Sequence, residues 1–67
     1  MEESTKLGKK LKKLREAKQM SQGDVMRMMD CSRSYVSNLE NGKVNPTLET
    51  ITRLAKVFGV STSELLK

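Results

Sequence analysis

The chain has no histidine, no tryptophan, one cysteine and one proline. Cys31 alone allows no intramolecular disulfide. Without histidine or a second thiol, the zinc, haem and catalytic-triad patterns lack their ligands. Rings are scarce too, Tyr35 and Phe58 being the only two, and no β-branched alternation marks a strand. No apolar run approaches the length that spans a membrane, and the opening residues Glu2 to Lys6 do not make a signal peptide. These absences lead us to expect a small all-α domain in the cytoplasm, with no cofactor, no metal and no small-molecule ligand. An enzyme is disfavoured, because no nucleophile–base pair or phosphate loop is present.

What the chain does have is positive charge, 13 lysines and arginines against 8 acids for a net +5. Lys6, Lys9, Lys10, Lys12, Lys13, Arg15 and Lys18 crowd one segment, opposed only by Glu16. Such a balance favours a polyanion, either nucleic acid or an anionic membrane surface; a solvated helix flank accounts for the lysine run equally well. At 67 residues the chain is near the lower limit for independent folding. Efficient helix packing, or a partner, is needed to stabilise so small a core.

Five helices are legible. Leu7, Leu11 and Leu14 stand at helical spacing, so residues from about 5 to 18 form an amphipathic first helix. Residues 1–4 are expected to fray, and 5–67 to make the domain. Arg15, four residues after Leu11, falls at the edge of the apolar stripe, which suggests a specific partner. Ser21 and Ser32 are good N-caps, with Met20 and Cys31 before them and Val25 and Val36 at the matching fourth helical positions. Ser61 repeats the pattern, with Glu64 expected to complete a capping box. Thr47 opens the fourth helix, whose apolar stripe is Leu48, Ile51, Leu54 or Ala55, and Phe58. Gly59 ends that helix, and Asn41-Gly42 ends the third.

Between helices two and three only Asp30 and Cys31 remain, and so short a turn forces a steep crossing, as in a helix-turn-helix over 22–41. Val25, Met29, Val36 and Leu39 then point into a shared core. On the third helix, over 32–40, Val36, Leu39 and Glu40 take one side, and Arg33, Ser34, Ser37 and Asn38 the other. An ordinary surface helix carries Glu, Lys and Ala there rather than serine and asparagine, which are poorer helix formers. A base-reading face fits this composition. Arg33 suits a bidentate bond to guanine and Asn38 one to adenine, while Ser34 and Ser37 allow close approach to the major groove. Gln22 and the free amides opening the second helix suit a phosphate, as do Asn41 and Lys43 across the groove. Tyr35, on the flank, suits a phosphate or thymine methyl, or packing against the neighbouring helix.

These residues resemble the helix-turn-helix of the phage repressor and Cro family, the XRE-type small bacterial and phage regulators. The likeness runs over roughly residues 6 to 66, through LGKKLKKLREAKQMSQ and CSRSYVSNLENGKVNPTLETITRLAKVFGVSTSELL. It implies a lambda repressor-like five-helix fold and a transcriptional regulator, most often a repressor, acting on double-stranded DNA. By the same resemblance Gln22, Asn41 and Lys43 meet the backbone, Arg33, Ser34, Ser37 and Asn38 face the bases, and Arg15 pairs with Glu40. Three positions depart from the family pattern. Asp30 replaces a usual glycine at a left-handed turn position, Met26 a small residue between the helices, and Cys31 a small apolar or threonine side chain. Cys31 reads as turn packing or a redox switch, and the methionines 26, 28 and 29 as adaptable filling.

One recognition helix reads only a few base pairs, so a homodimer on inverted half-sites about one helical turn apart is expected. Val60, Leu65 and Leu66 are its expected interface, since two adjacent leucines are hard to bury in one small monomer. The alternative is an antitoxin-like or regulatory module of the same fold whose main ligand is protein. Membrane association through the lysine-rich helix is disfavoured because its apolar stripe is needed for the core.

Overall fold

The computed structural model describes residues 2–67, with side chains from Ser4 onward. Five helices follow one another: α1 (Glu2–Ala17), α2 (Gln22–Met29), α3 (Arg33–Glu40), α4 (Leu48–Phe58) and α5 (Thr62–Leu66). Among the described residues there is no strand. Their apolar stripes meet in one core of Leu11, Val25, Met29, Val36, Leu39, Ile51, Leu54, Ala55, Phe58 and Leu65. α1 lies against α3 and α5, α2 against α3 and α4, and α4 against α5. Leu7 and Leu14 pack at the edge of this core.

Capping residues set where the helices begin. Ser21, Ser32, Thr47 and Ser61 all hold extended backbone and accept an amide from three residues on, satisfying a donor the helix itself cannot. The full reciprocal box forms at Ser21, whose N–H donates to the Asp24 carboxylate at 2.8 Å. Those bonds, the Ser21 amide first, hold the Asp24 carboxyl below the usual carboxylate range. At Ser61, where the box was expected, only the Glu64 amide is engaged, at 3.1 Å. The Glu64 carboxylate instead faces Lys67 at 3.4 Å.

Left-handed residues end the helices. Gln19, Asp30, Gly42 and Gly59 all have positive φ, and after each the next amide reaches back across the last turn: Met20 to Arg15, Cys31 to Met26, Lys43 to Asn38 and Val60 to Ala55. This is the Schellman arrangement. Asp30 takes the conformation expected where the family carries glycine. Gln19 does the same at the end of α1 with no sequence signal to announce it.

The segment 1–4 was expected to fray; Met1 lies outside the described residues, α1 begins at Glu2, and Ser4 is buried, its hydroxyl facing Asn45 Oδ1 at 3.4 Å. Ser4 continues the buried stripe of Leu7, Gly8 and Leu11 one turn back. Leu48 is 67% exposed rather than in the core; it is the first residue of α4, on the margin of the stripe at the helix end. Met26, which stands where the family has a small residue between the helices, is half buried at the edge of the core.

Candidate nucleic-acid interface

The α2–turn–α3 unit is fixed from behind by backbone contact. Gly8 presses its α-carbon face against the end of α3, so close that a β-carbon there would stand 2.5 Å from the Leu39 carbonyl oxygen and 2.6 Å from that of Glu40. Gly42 meets Thr5 in the same way, with a β-carbon falling 2.8 Å from the Thr5 hydroxyl. Two glycines therefore let α1 lie directly on the end of α3 and its following turn. The signal for Gly8 was an isolated glycine inside a strong helix-forming run; its role went unread in the sequence.

Charge completes this attachment. Arg15 Nε donates to Glu40 at 2.6 Å and Nη2 to its other oxygen at 3.1 Å, a two-pronged pair. The side chains are 12% and 5% exposed, so both charges are largely out of water. Arg15 Nη1 also donates to the Met20 carbonyl at 2.8 Å, and Gln22 Nε2 to Glu40 at 3.1 Å. The hydrogen bond to Glu40 raises the pKa of Arg15 further above its already high ordinary value. One carboxylate thus joins the end of α1, the start of α2 and the end of α3. From the other side Arg53 on α4 donates to the Met29 carbonyl at 2.7 Å, closing the end of α2. Nothing in the spacing of Arg53 announced that role. Cys31 sits half buried in the turn beside it, and burial pushes its thiol pKa up.

The front of α3 is different. Gln22, Arg33, Ser34, Ser37 and Asn38 line one shallow open concavity. Among the described residues no hydrogen bond or ion pair engages the side chains of Arg33, Ser34 or Asn38. Arg33 and Ser34 are exposed, Ser37 and Asn38 half-exposed. Gln22 lies at the margin, already committed to Glu40. Asn41 is exposed, but its amide turns back to the Ser37 carbonyl at 2.9 Å and faces the Ser37 hydroxyl at 3.4 Å. Lys43 stands exposed in the loop that follows. Tyr35 is half buried, its ring packed against the core.

The expected dimer contacts separate. Leu65 is buried in its own chain's core at 2% exposure, so it is removed from the interface set; Leu66 is 56% exposed and Val60 half-exposed. On the short α5 only one of two adjacent leucines can face inward. Among the described residues no group of acidic, histidine or cysteine side chains is arranged to hold a metal, and no helix is long and apolar enough to cross a membrane.

A braced helix presenting polar side chains without partners among the described residues, set by a three-residue turn against a second helix, defines a helix-turn-helix DNA-binding fold. The helix-turn-helix family model matches residues 11–65, and the chain belongs to this family, a non-enzymatic one of transcriptional regulators and control proteins. The chain is 36% identical over 62 residues to the HTH-type transcriptional regulator DdrOP3 of Deinococcus deserti, covering 92% of this chain and 48% of the relative. It is 39% identical over 61 residues to the control protein C.MunI of a Mycoplasma species, covering 90% of this chain and 82% of the relative. The crystal structure of the restriction-modification controller protein C.AhdI from Aeromonas hydrophila superposes with a TM-score of 0.91 at 34% identity, over 97% of this chain and 98% of that one. The chain therefore spans about half the length of the Deinococcus regulator.

Proposed function

We propose that this chain is a cytoplasmic, sequence-specific regulator of transcription, acting as a repressor by laying α3 in the major groove of double-stranded DNA. The observation that carries the reading is the single concavity joining Gln22, Arg33, Ser34, Ser37 and Asn38, with three of those side chains unengaged. Arg33 is assigned to a guanine edge and Asn38 to an adenine edge, with Ser34 and Ser37 on either base type. Lys43 meets phosphate as a point charge, and Gln22, Asn41 and Tyr35 are assigned to the same backbone. For Gln22 and Asn41 this means sharing or exchanging their present bonds to Glu40 and Ser37.

Two copies bind inverted half-sites, joined by the α5 face that carries Leu66, with Val60 beside it. Leu66 is the exposed large apolar side chain of that helix, and pairing two such faces removes it from water. A repressor of this kind acts by occupying its site and keeping polymerase off.

Selection of binding sites from a random duplex pool tests the reading directly. A symmetric site of two half-sites is expected, and Arg33→Ala or Asn38→Ala loses about 1–3 kcal/mol on it, with base preference relaxed at one position. Intact binding by both variants rules out α3 as the reading helix. Sedimentation of the protein, alone and on the selected duplex, reads the dimer: a monomer under both conditions refutes it. Transcription from a promoter overlapping the selected site falls on adding the protein if it is a repressor.

A further inference from the structure

Five lysines stand within eight residues of α1: Lys6, Lys9, Lys10, Lys12 and Lys13. Lys10 is half buried and the other four are exposed. Lys9, Lys12 and Lys13 lie on the side of the helix away from Leu7 and Leu11, whereas Lys6 and Lys10 border Ser4 and Leu7; Lys9, Lys10, Lys12 and Lys13 border one open concavity with Glu16. Spacings of three and four set lysine beside lysine, as in 6–9, 6–10, 9–12, 9–13 and 10–13, and each such pair disfavours the helix. No ion pair among the described residues relieves them, for the three that form engage Arg15, Arg27 and Lys67. A face needing only solubility is served by mixed signs. Five positive charges, met on this face by Glu16 alone one turn after Lys12 and Lys13, point to compensation from outside the chain.

The band borders the DNA-reading unit. Lys12 lies one turn beyond Gly8, which abuts the last carbonyls of α3, and Lys9 one turn beyond Thr5, which abuts Gly42. Lys12 also lies one turn before Arg15, the residue tied to Glu40. Lys9 and Lys12 therefore stand on the flank of α1 nearest the end of α3 and the loop with Lys43, and Lys13 extends that charge outward. We infer that Lys9, Lys12 and Lys13 form a second, sequence-independent phosphate-binding surface, which holds the DNA backbone flanking the site that α3 reads. The inference rests on the reading of α3 as the DNA-contacting helix. An anionic bilayer is the poorer match, because the apolar stripe of α1 lies in the core and leaves nothing to insert.

The test compares two duplexes over a salt series, one ending at the edges of the selected site and one extended by about a helical turn, roughly 10 bp, on each side. Wild-type protein and the Lys9→Gln/Lys12→Gln/Lys13→Gln variant are titrated on both. Wild type is expected to bind the extended duplex more tightly, with a log–log salt slope steeper by about 0.9 for each added contact, up to about 2.7 for each copy and about 5 for the two copies together. The variant is expected to bind both duplexes equally and to keep the wild-type base preference on the short one. Glutamine is as good a helix former as lysine, so the variant's thermal melt is expected to be no lower than wild type. Equal affinity of the wild type for the two duplexes overturns the inference, as does an unchanged slope in the variant. Preference of the wild type for phosphatidylserine vesicles over duplex at equal phosphate also overturns it. Failure of the α3 reading looks different: the wild type would then show no base preference on either duplex, and the flanking contact would fall with it.

Discussion

The two sides of α3 are built on opposite terms. Behind, Gly8 and Gly42 bring α1 to backbone contact and Arg15, Gln22 and Glu40 form a largely buried polar junction. In front, Arg33, Ser34 and Asn38 extend from an eight-residue helix with no partner among the described residues. So short a helix is not stable alone, so the front is held in place by the back. Rigidity and unengaged polar groups are thereby assigned to different residues. Substitutions behind α3 should change stability first and binding second, and those in front should do the reverse.

The largest break is expected at Arg15. Arg15→Ala removes both bonds to Glu40 and the donor to the Met20 carbonyl, leaving a buried carboxylate with Gln22 alone. The expected loss is about 3 kcal/mol, or a fall in Tm on the order of 15 °C for a domain this small. The double variant Arg15→Met/Glu40→Leu removes the charge as well as its partner. It is expected to stay within about 1 kcal/mol of wild type. A single variant that melts unchanged would show the junction to be loose, and an equally damaged double variant would show it to be irreplaceable.

Gly8→Ala comes next. The new carbon would lie 2.5 Å from the Leu39 carbonyl oxygen, a backbone atom that cannot swing aside. α1 must lift from α3, at about 2 kcal/mol by thermal melting. A melt within error of wild type would mean that the two helices have room to separate. If α1 does lift, DNA affinity falls too, with base preference intact, since the front face keeps its side chains.

How far this division could be read beforehand depends on which residues carry it. Caps and stripes are local, so Ser21, Ser32, Thr47 and Ser61, and the helices they open, were legible from spacing alone. So was the grouping of Arg33, Ser34, Ser37 and Asn38, because residues three and four apart share a helix face. The back of α3 is not local. Gly8 meets a carbonyl 31 residues further along the chain, and Arg53 meets Met29 across 24. Only the assembled helices show which surface each approaches. The choice between Leu65 and Leu66 was hidden likewise, since adjacent leucines on a five-residue helix carry no periodic signal of their own. Charge patterning announced a brace only as an arginine beside a stripe, and the family resemblance supplied Glu40 as its partner.

Within the tight region one residue is under strain. Gln19 ends α1 with φ of 58°, a conformation costing about 1 kcal/mol or more for a residue with a β-carbon. Gln19→Gly relieves that strain but loosens the unfolded chain, so the net gain expected is about 0.5–1 kcal/mol. A calorimetric Tm a few degrees higher, with unchanged DNA affinity, would place Gln19 in the back region alone. A lower Tm would show that its side chain contributes more than its backbone costs.

The smallest effect on stability, and the one that separates the two sides most cleanly, is expected at Asn38. Asparagine is among the poorer residues inside a helix, and alanine is the best. The Asn38 side chain has no partner within the described residues, so its removal leaves no polar group stranded. Asn38→Ala should therefore raise stability by about 0.5 kcal/mol, or a Tm increase of about 2–4 °C. The same substitution should weaken binding to the selected site by about 1–3 kcal/mol, because an adenine edge loses both its bonds. The two measurements move in opposite directions only if the side chain is kept for a ligand at some expense to the helix. A variant that is both less stable and weaker in binding would return Asn38 to the structural side of α3, and with it the division between front and back would fail at its centre.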